Sequence, residues 1–420
     1  MNKRTQVGNY IFLLGVFAIY MLNLNLYDMY VSMRSANYIL SAFIFTVVFV
    51  CYADFKSLIK DKLFIILAVT NLLAAIFIII SGAINTAALT VYIFTICIYL
   101  YDKVKFTKKQ IIIFASFIGA FFIYWTIDVK GYFKGYSINF GGLVLIAGFV
   151  CLTFLLELFK YHTINSNNDK LSFLRKYPYY VTFAEIVLFI VGVKIISYYQ
   201  SRTGMMALIV LACILVIPKS LLYKKYVSFV CAIGAFLLML VLPLIYLFIA
   251  NRGILNDVEI FYRPIIGNRV ENWNVLYSLI RSHLIKGNGS IYIVEGSSFR
   301  EGFLDCCNGV LQISVVYGVV IAVAVFAMLI YVLYRQSLMI KNNPFATSAY
   351  LCLLVYIVTS ASESFIFNPI FVVAFAGMLY ITNSCICGDV EVENTDIYAA
   401  YKNMATSEYK KKFIPTFCVS

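Results

Sequence analysis

The chain has 420 residues, of which 62% are hydrophobic, 17% aromatic and only 13% charged, with a net charge of +13. Ordinary soluble domains are about 25% charged, so too little polar surface is available here to cover a water-soluble globule. The excess basic charge fits topology signals and contact with lipid headgroups, and a nucleic-acid partner is not expected.

Apolar runs of about 20 residues, the length with which an α-helix crosses a bilayer, recur along the whole chain. In order they cover Tyr10–Leu26, Tyr38–Tyr52, Leu63–Ser81, Ile84–Tyr101, Gln110–Trp125 and Phe140–Phe159. Tyr179–Tyr198, Thr203–Pro218, Tyr226–Ala250, Asn308–Tyr334, Thr347–Ser360 and Phe365–Ser384 follow. The first lacks a small-residue cleavage site and is followed by further helices, so it reads as a span and not as a cleaved signal. The pattern predicts an all-α, polytopic integral membrane protein of about twelve spans, since helices satisfy their own backbone in lipid. Residues 1–420 read as one membrane domain, with a large outer loop at 250–307 and a solvated cytoplasmic tail at 385–420.

Lysine and arginine placement orients the chain. With the N-terminus inside, Lys3/Arg4, Lys56/Lys60/Lys62, Lys103/Lys105/Lys108/Lys109, Arg175/Lys176, Lys219/Lys224/Lys225, Arg335/Lys341 and Lys410–Lys412 all face the cytoplasm. Roughly two-thirds of the cations then lie inside, as the positive-inside rule asks. The outside retains Arg34, Lys130, Lys134, Arg202 and the long loop, which holds Arg252, Arg263, Arg269, Arg281 and Arg300. Arginine grips phosphate in a bidentate fork that lysine lacks, so the loop points to an anionic substrate at the outer surface.

Within the loop, Asn268 followed by Glu271 has the form of an N-cap with its capping-box partner. Val270, Trp273, Tyr277, Ile280 and Leu284 then recur at helical spacing, predicting an amphipathic helix from Arg269 to Ile285 that stops at Gly287-Asn288-Gly289. Its Trp273 face packs on the membrane domain or on the lipid interface. Arg269 falls in the first turn, where the helix dipole disfavours a cation unless an anion joins it. Arg281 and His283 lie on opposite flanks of the apolar stripe, and each reads either as a site residue or as a solvated helix edge.

Ser201-Arg202-Thr203-Gly204 links two spans so tightly that Arg202 stays at the membrane boundary, facing either headgroups or a cavity. Phe303-Leu304-Asp305-Cys306-Cys307-Asn308-Gly309 opens the tenth span; Asn308 suits an N-cap, and Asp305 is the better candidate for chemistry. Glu363 lies in the short outer turn 360–364. Most of the eleven cysteines sit inside spans, where cysteine acts as a small apolar residue, and no disulfide framework or metal site is expected. Neither a glycine-rich phosphate loop nor a nucleotide motif is present, so no cofactor is expected.

Ser201-Arg202-Thr203-Gly204, the loop sequence Gly267-Asn268-Arg269…Trp273…His283-Leu284-Ile285-Lys286-Gly287-Asn288-Gly289, and Asn308-Gly309…Gly318 resemble the O-antigen polymerase and ligase superfamily. Within it the chain looks nearer to the polymerases. Ligases carry a His-Asn pair at the helix after the loop and polymerases often Asp-Asn, whereas here Cys307 precedes Asn308. The resemblance implies a metal-independent, inverting glycosyl transfer at the outer face of a bacterial inner membrane. Undecaprenyl-diphosphate-linked oligosaccharides would be donor and acceptor, and a polysaccharide chain-length regulator a protein partner. Arg202 and Arg269 would then stabilise the departing diphosphate, with Asp305, His283 or Glu363 taking the acceptor proton. Arg263, Arg281, Asn308 and Glu363 would contact substrate. A repeat-unit flippase or other transporter, a ligase, and a non-catalytic assembly protein or sensor are the other readings; a transporter should carry charges through its helices and internal halves, neither of which is evident.

Overall fold

The computed structural model describes residues 3–23, 26–82, 84–128, 138–165, 179–198, 200–216, 225–253, 258–259, 269–289, 308–340 and 344–386. Among these residues the chain is almost entirely helical and forms no strand. The helices are α1 (Lys3–Leu22), α2 (Leu26–Tyr52), the single turn α3 (Phe55–Leu58), α4 (Lys62–Ser81), α5 (Thr90–Tyr99), α6 (Lys108–Asp128) and α7 (Ile138–Asn165). They continue with α8 (Tyr179–Tyr198), α9 (Arg202–Val216), α10 (Lys225–Asn251), α11 (Arg269–Ser282), α12 (Gly309–Tyr317), α13 (Val319–Met339), α14 (Pro344–Thr359) and α15 (Pro369–Ile386). Among the described residues, six helices suffice by length and composition to cross a membrane: α1, α2 over Ser35–Tyr52, α4, α10 over Tyr226–Asn251, α13 and α15. Parts of the α5, α7, α9 and α14 regions are apolar but shorter.

Local chemistry sets individual boundaries. Asp61 caps α4 by accepting from the Leu63 and Phe64 amides, and Gly82 ends it in the left-handed region at φ +68°. Thr107 and Gln110 form a reciprocal capping box at the start of α6: Gln110 Oε1 accepts from the Thr107 amide at 3.0 Å and Thr107 Oγ1 from the Gln110 amide at 3.4 Å.

Burial does not follow apolarity. α4, the most apolar of the six, has 22% of its span buried, whereas α15 is 94% buried. Lipid tails are as apolar as leucine, so apolarity alone draws no helix inward. The centre is instead built from close packing and paired polar groups. Phe12 of α1 meets Phe45, Phe106, Phe114 and Tyr380, and Gly377 of α15 leaves the space that the Phe114 ring of α6 fills. α14 lies beside α15 and is equally enclosed, with α7, α9 and α10 packed against it.

The two ends of α15 mark the two ends of the bundle. At its C-terminus, Ser384 Oγ accepts from the Phe106 amide at 2.7 Å and Asn383 donates to the Val104 carbonyl at 3.3 Å. Asn9 reaches the Lys105 carbonyl there, Tyr52 bonds Asn9, and Lys103 pairs with Asp61 at 3.3 Å. The segments bearing Arg4, Lys60, Lys103, Lys105 and Lys108 therefore gather at one lysine-rich end. The N-terminus of α15, about 27 Å away along the helix, adjoins the turn carrying Glu363.

One predicted span is two helices. The apolar run Asn308–Tyr334 breaks at Gly318, whose φ of +85° with ψ of 165° separates α12 from α13. That conformation is essentially confined to glycine. α12 folds back along α13: Phe367 lies against Gly309 at the start of α12 and packs on Phe326, two turns into α13. Asn308 is thus recessed about 10 Å below the break. The predicted helix 269–285 also ends early, at Ser282. Beyond it the Leu284 carbonyl accepts from the Val319 amide at 2.8 Å, and the Asn288 and Gly289 amides donate to the Val315 and Val316 carbonyls. Those bonds pull the backbone out of helix and seal the carbonyl end of α12, leaving Leu284 and Ile285 exposed.

Candidate functional site

Three helices start against one turn. Residues 360–364 leave the C-terminus of α14, and the first residues of α9, α11 and α12 converge on them. Each helix start carries the equivalent of about half a positive charge. The carboxylate of Glu363, 2% exposed, lies in their common field.

α9 contributes through a sharp corner. Gln200, at φ +52°, is the one described residue other than glycine with positive φ, and it turns the chain from α8 into α9. Ser201 then caps α9, its Oγ accepting from the Gly204 amide at 3.1 Å. Thr203 is buried and donates to Glu363 Oε1 at 3.3 Å, while its own oxygen accepts from Ser362 Oγ at 3.2 Å. Arg202 is half-buried beside it at the first helical position.

α11 contributes Arg269. Its NH2 group meets Glu363 Oε1 at 2.6 Å and Thr203 Oγ1 at 3.2 Å, with the arginine 9% exposed overall. The cation that the helix dipole disfavours therefore has its anion within the protein, 94 residues further along the chain. α11 is held in place by its apolar face: Trp273 and Leu276 are fully buried and Ile280 nearly so. Trp273 meets Tyr246 of α10 edge-on at 5.5 Å. Of the two predicted surfaces for this face, the protein is the one it covers.

α12 contributes Asn308, which is completely buried. Its Oδ1 accepts from the Val310 and Leu311 amides at 2.9 and 3.0 Å, capping the helix. Its Nδ2 donates to the Met239 carbonyl at 2.7 Å and the Ala361 carbonyl at 2.9 Å. Met239 lies four residues before Pro243 inside α10, so its carbonyl is the one that the proline deprives of a helical partner. A primary amide makes four hydrogen bonds; here all four are made within the chain. The Gly309 amide completes the seam by donating to the Ser360 carbonyl at 2.9 Å.

The predicted site residues thus separate. Arg269 and Glu363 are in direct contact, Arg202 adjoins them through Thr203, and Asn308 braces the same turn from below. Arg281, in the last turn of α11, and His283, just past its end, are both exposed, Arg281 about 18 Å along the helix from Arg269. His283 Nδ1 lies 3.0 Å from Ser282 Oγ. Arg263 and Asp305 lie outside the described residues. Thr203 stands in the Ser201–Gly204 element without a role of its own there, and Ser362 and Pro243 escape sequence reasoning; of these two only the proline, inside a long apolar run, carries a signal.

The site offers a recessed arginine, a half-buried second arginine and three helix starts, all at the end of the bundle opposite the lysine-rich one. No family model, curated protein or solved structure matches the chain.

Proposed function

We propose that this protein polymerises undecaprenyl-diphosphate-linked oligosaccharide repeat units into a surface polysaccharide, by metal-independent inverting glycosyl transfer at the outer face of a bacterial inner membrane. The reading carries with it about twelve membrane spans, cytoplasmic termini and an outer, periplasmic loop at 250–307. The observation that carries it is the convergence of three helix starts and Arg269 on one recessed turn. Backbone amides and guanidinium groups held in a water-poor site are suited to an oligoanion such as a diphosphate. The gathering of lysine-bearing segments at the other end supports the orientation.

In the reaction, an acceptor hydroxyl oxygen attacks the anomeric carbon of the donor sugar. The bond from that carbon to the diphosphate oxygen breaks, and the diphosphate leaves with the electron pair. Arg269 and Arg202 stabilise the charge developing on it, an electrostatic contribution that commonly dominates such catalysis. Glu363 holds Arg269 in position in the resting site, and the incoming diphosphate competes with that carboxylate for the guanidinium. The acceptor proton passes to a base drawn from Glu363 and Asp305; Glu363 is the one held against Arg269, whereas His283 stands about 20 Å away at the other end of α11.

The test is complementation of a strain lacking the gene. Wild type is expected to restore long surface polysaccharide, and Arg202→Ala, present at wild-type level in the membrane, to leave single repeat units on the lipid core. Normal chain length from Arg202→Ala would sink the diphosphate assignment. Loss of all surface sugar, single units included, would favour the flippase reading.

A further inference from the structure

A second feature lies at the opposite end of the bundle. α6, α7 and α8 enclose a groove of about 810 Å³, within the roughly 300–1,000 Å³ of typical ligand sites. Among the described residues its walls are aliphatic and aromatic, from Leu152 to Phe159 on α7 and from Phe183 to Val191 on α8, with Lys108 the one charged residue. Lys108 opens α6 at the lysine-rich end, with Lys109 exposed beside it. From Phe183 to Val191 the groove extends about 12 Å along α8, close to the roughly 15 Å depth of one leaflet of the hydrocarbon core. Phe183, Val187 and Val191 are 65%, 41% and 42% exposed, so it opens sideways, toward lipid.

We propose that this groove binds a diacyl phospholipid with an anionic headgroup, one acyl chain lying along α7 and α8 and the phosphate at Lys108 and Lys109. The argument is complementarity of charge and length: an apolar trough one leaflet deep with ammonium groups at its mouth matches a hydrocarbon chain attached to an anion. A zwitterionic lipid fills the trough equally well but gains less from the lysines. The mouth of the groove at Lys108 lies at the end of the bundle opposite Arg269 and Glu363, so the proposal is independent of the polymerase reading.

The test is lipid retention by the purified full-length protein, measured by native mass spectrometry after equilibration with phosphatidylglycerol or phosphatidylcholine of identical chains. Attraction to anionic lipid of the size usual for one surface lysine predicts at least about fivefold greater retention of phosphatidylglycerol. Lys108→Gln with Lys109→Gln should bring the two lipids level. Val187→Trp, a change at an exposed position, should fill the trough and lower retention of both. Equal retention by wild type, or wild-type retention by Val187→Trp, would overturn the proposal. Displacement of phosphatidylglycerol by an equimolar polyprenyl phosphate that phosphatidylglycerol cannot displace in turn would overturn the choice of a phospholipid.

Discussion

Asn308 and Pro243 are expected to be energetically coupled, although they are far apart in sequence and their side chains share only one carbonyl group. Asn308→Ala removes a helix cap, costing about 1 kcal/mol. It also strands the Met239 and Ala361 carbonyls, each a buried acceptor worth about 1–3 kcal/mol when left unmade. Interhelical hydrogen bonds in membrane proteins fall toward the low end of such ranges, near 0.6 kcal/mol on average, so a total of about 2–5 kcal/mol is expected. Pro243→Ala returns a backbone amide to α10, four residues beyond Met239, and that amide satisfies the Met239 carbonyl whether or not Asn308 is present. In the Pro243→Ala background, Asn308→Ala should therefore cost less by about 0.6–2 kcal/mol. The assay is a double-mutant cycle on reversible unfolding in mixed detergent micelles. Costs that add within about 0.5 kcal/mol would refute the reasoning, because the proline would then not be what makes the amide of Asn308 necessary.

Other outcomes follow from the same geometry. Glu363→Ala leaves Arg269 buried without its anion and should cost about 3–5 kcal/mol. Replacing both, with Arg269→Met and Glu363→Leu, should restore most of that stability by the same unfolding assay while leaving polymerisation absent in the complemented strain. Arg202→Ala should preserve the fold and lower the turnover of lipid-linked repeat units about 10²–10³-fold; turnover within threefold of wild type would remove Arg202 from the site. Gly318→Ala would set a methyl group against the Ile285 carbonyl at a backbone conformation closed to alanine, so loss of a monodisperse peak in size-exclusion chromatography is expected. At Asp61, burial raises the carboxyl pKa, but the Tyr99 hydroxyl and Lys103 outweigh it and hold the group below the usual carboxylate range. Its contribution to stability is present above the unfolded pKa of about 3.9 and is lost as pH falls through the lower folded value. Asp61→Asn should abolish that part of the acid dependence of unfolding.

How far the sequence revealed these features depended on the distance over which each is determined. The fold class followed from composition, and the start of α11 at Arg269 from the onset of a spaced apolar face; the cap expected at Asn268 lies outside the described residues. Asn308 was recognisable as a cap because capping is decided within three residues. Its other two hydrogen bonds were not, since their acceptors lie 69 and 53 residues away. The break at Gly318 was hidden because apolarity continues across it; hydropathy registers solvent, and both helices face the same one. The end of α11 was misplaced because Leu284 continues the apolar spacing, while bonds to Val319, Val315 and Val316 outweigh the last helical turn. Glu363 stood in a short polar turn, and only tertiary structure brings Arg269 and Thr203 to it.

The enclosure of α14 and α15 bears on how the protein is made. They are the last of the described helices to leave the ribosome, yet α1, α2, α5, α6, α7, α9, α10 and α13 all pack against them. At synthesis rates of about 5–20 residues per second, α1 waits roughly 20–70 s for the partner that Phe12 meets in Tyr380. During that interval the earlier helices hold Glu157 and Ser41 in the bilayer without their final neighbours, Ser348 and the Pro369 carbonyl. Insertion machinery or transient helix pairs must shelter those groups meanwhile. A chain interrupted after α13 would leave a shell assembled around nothing.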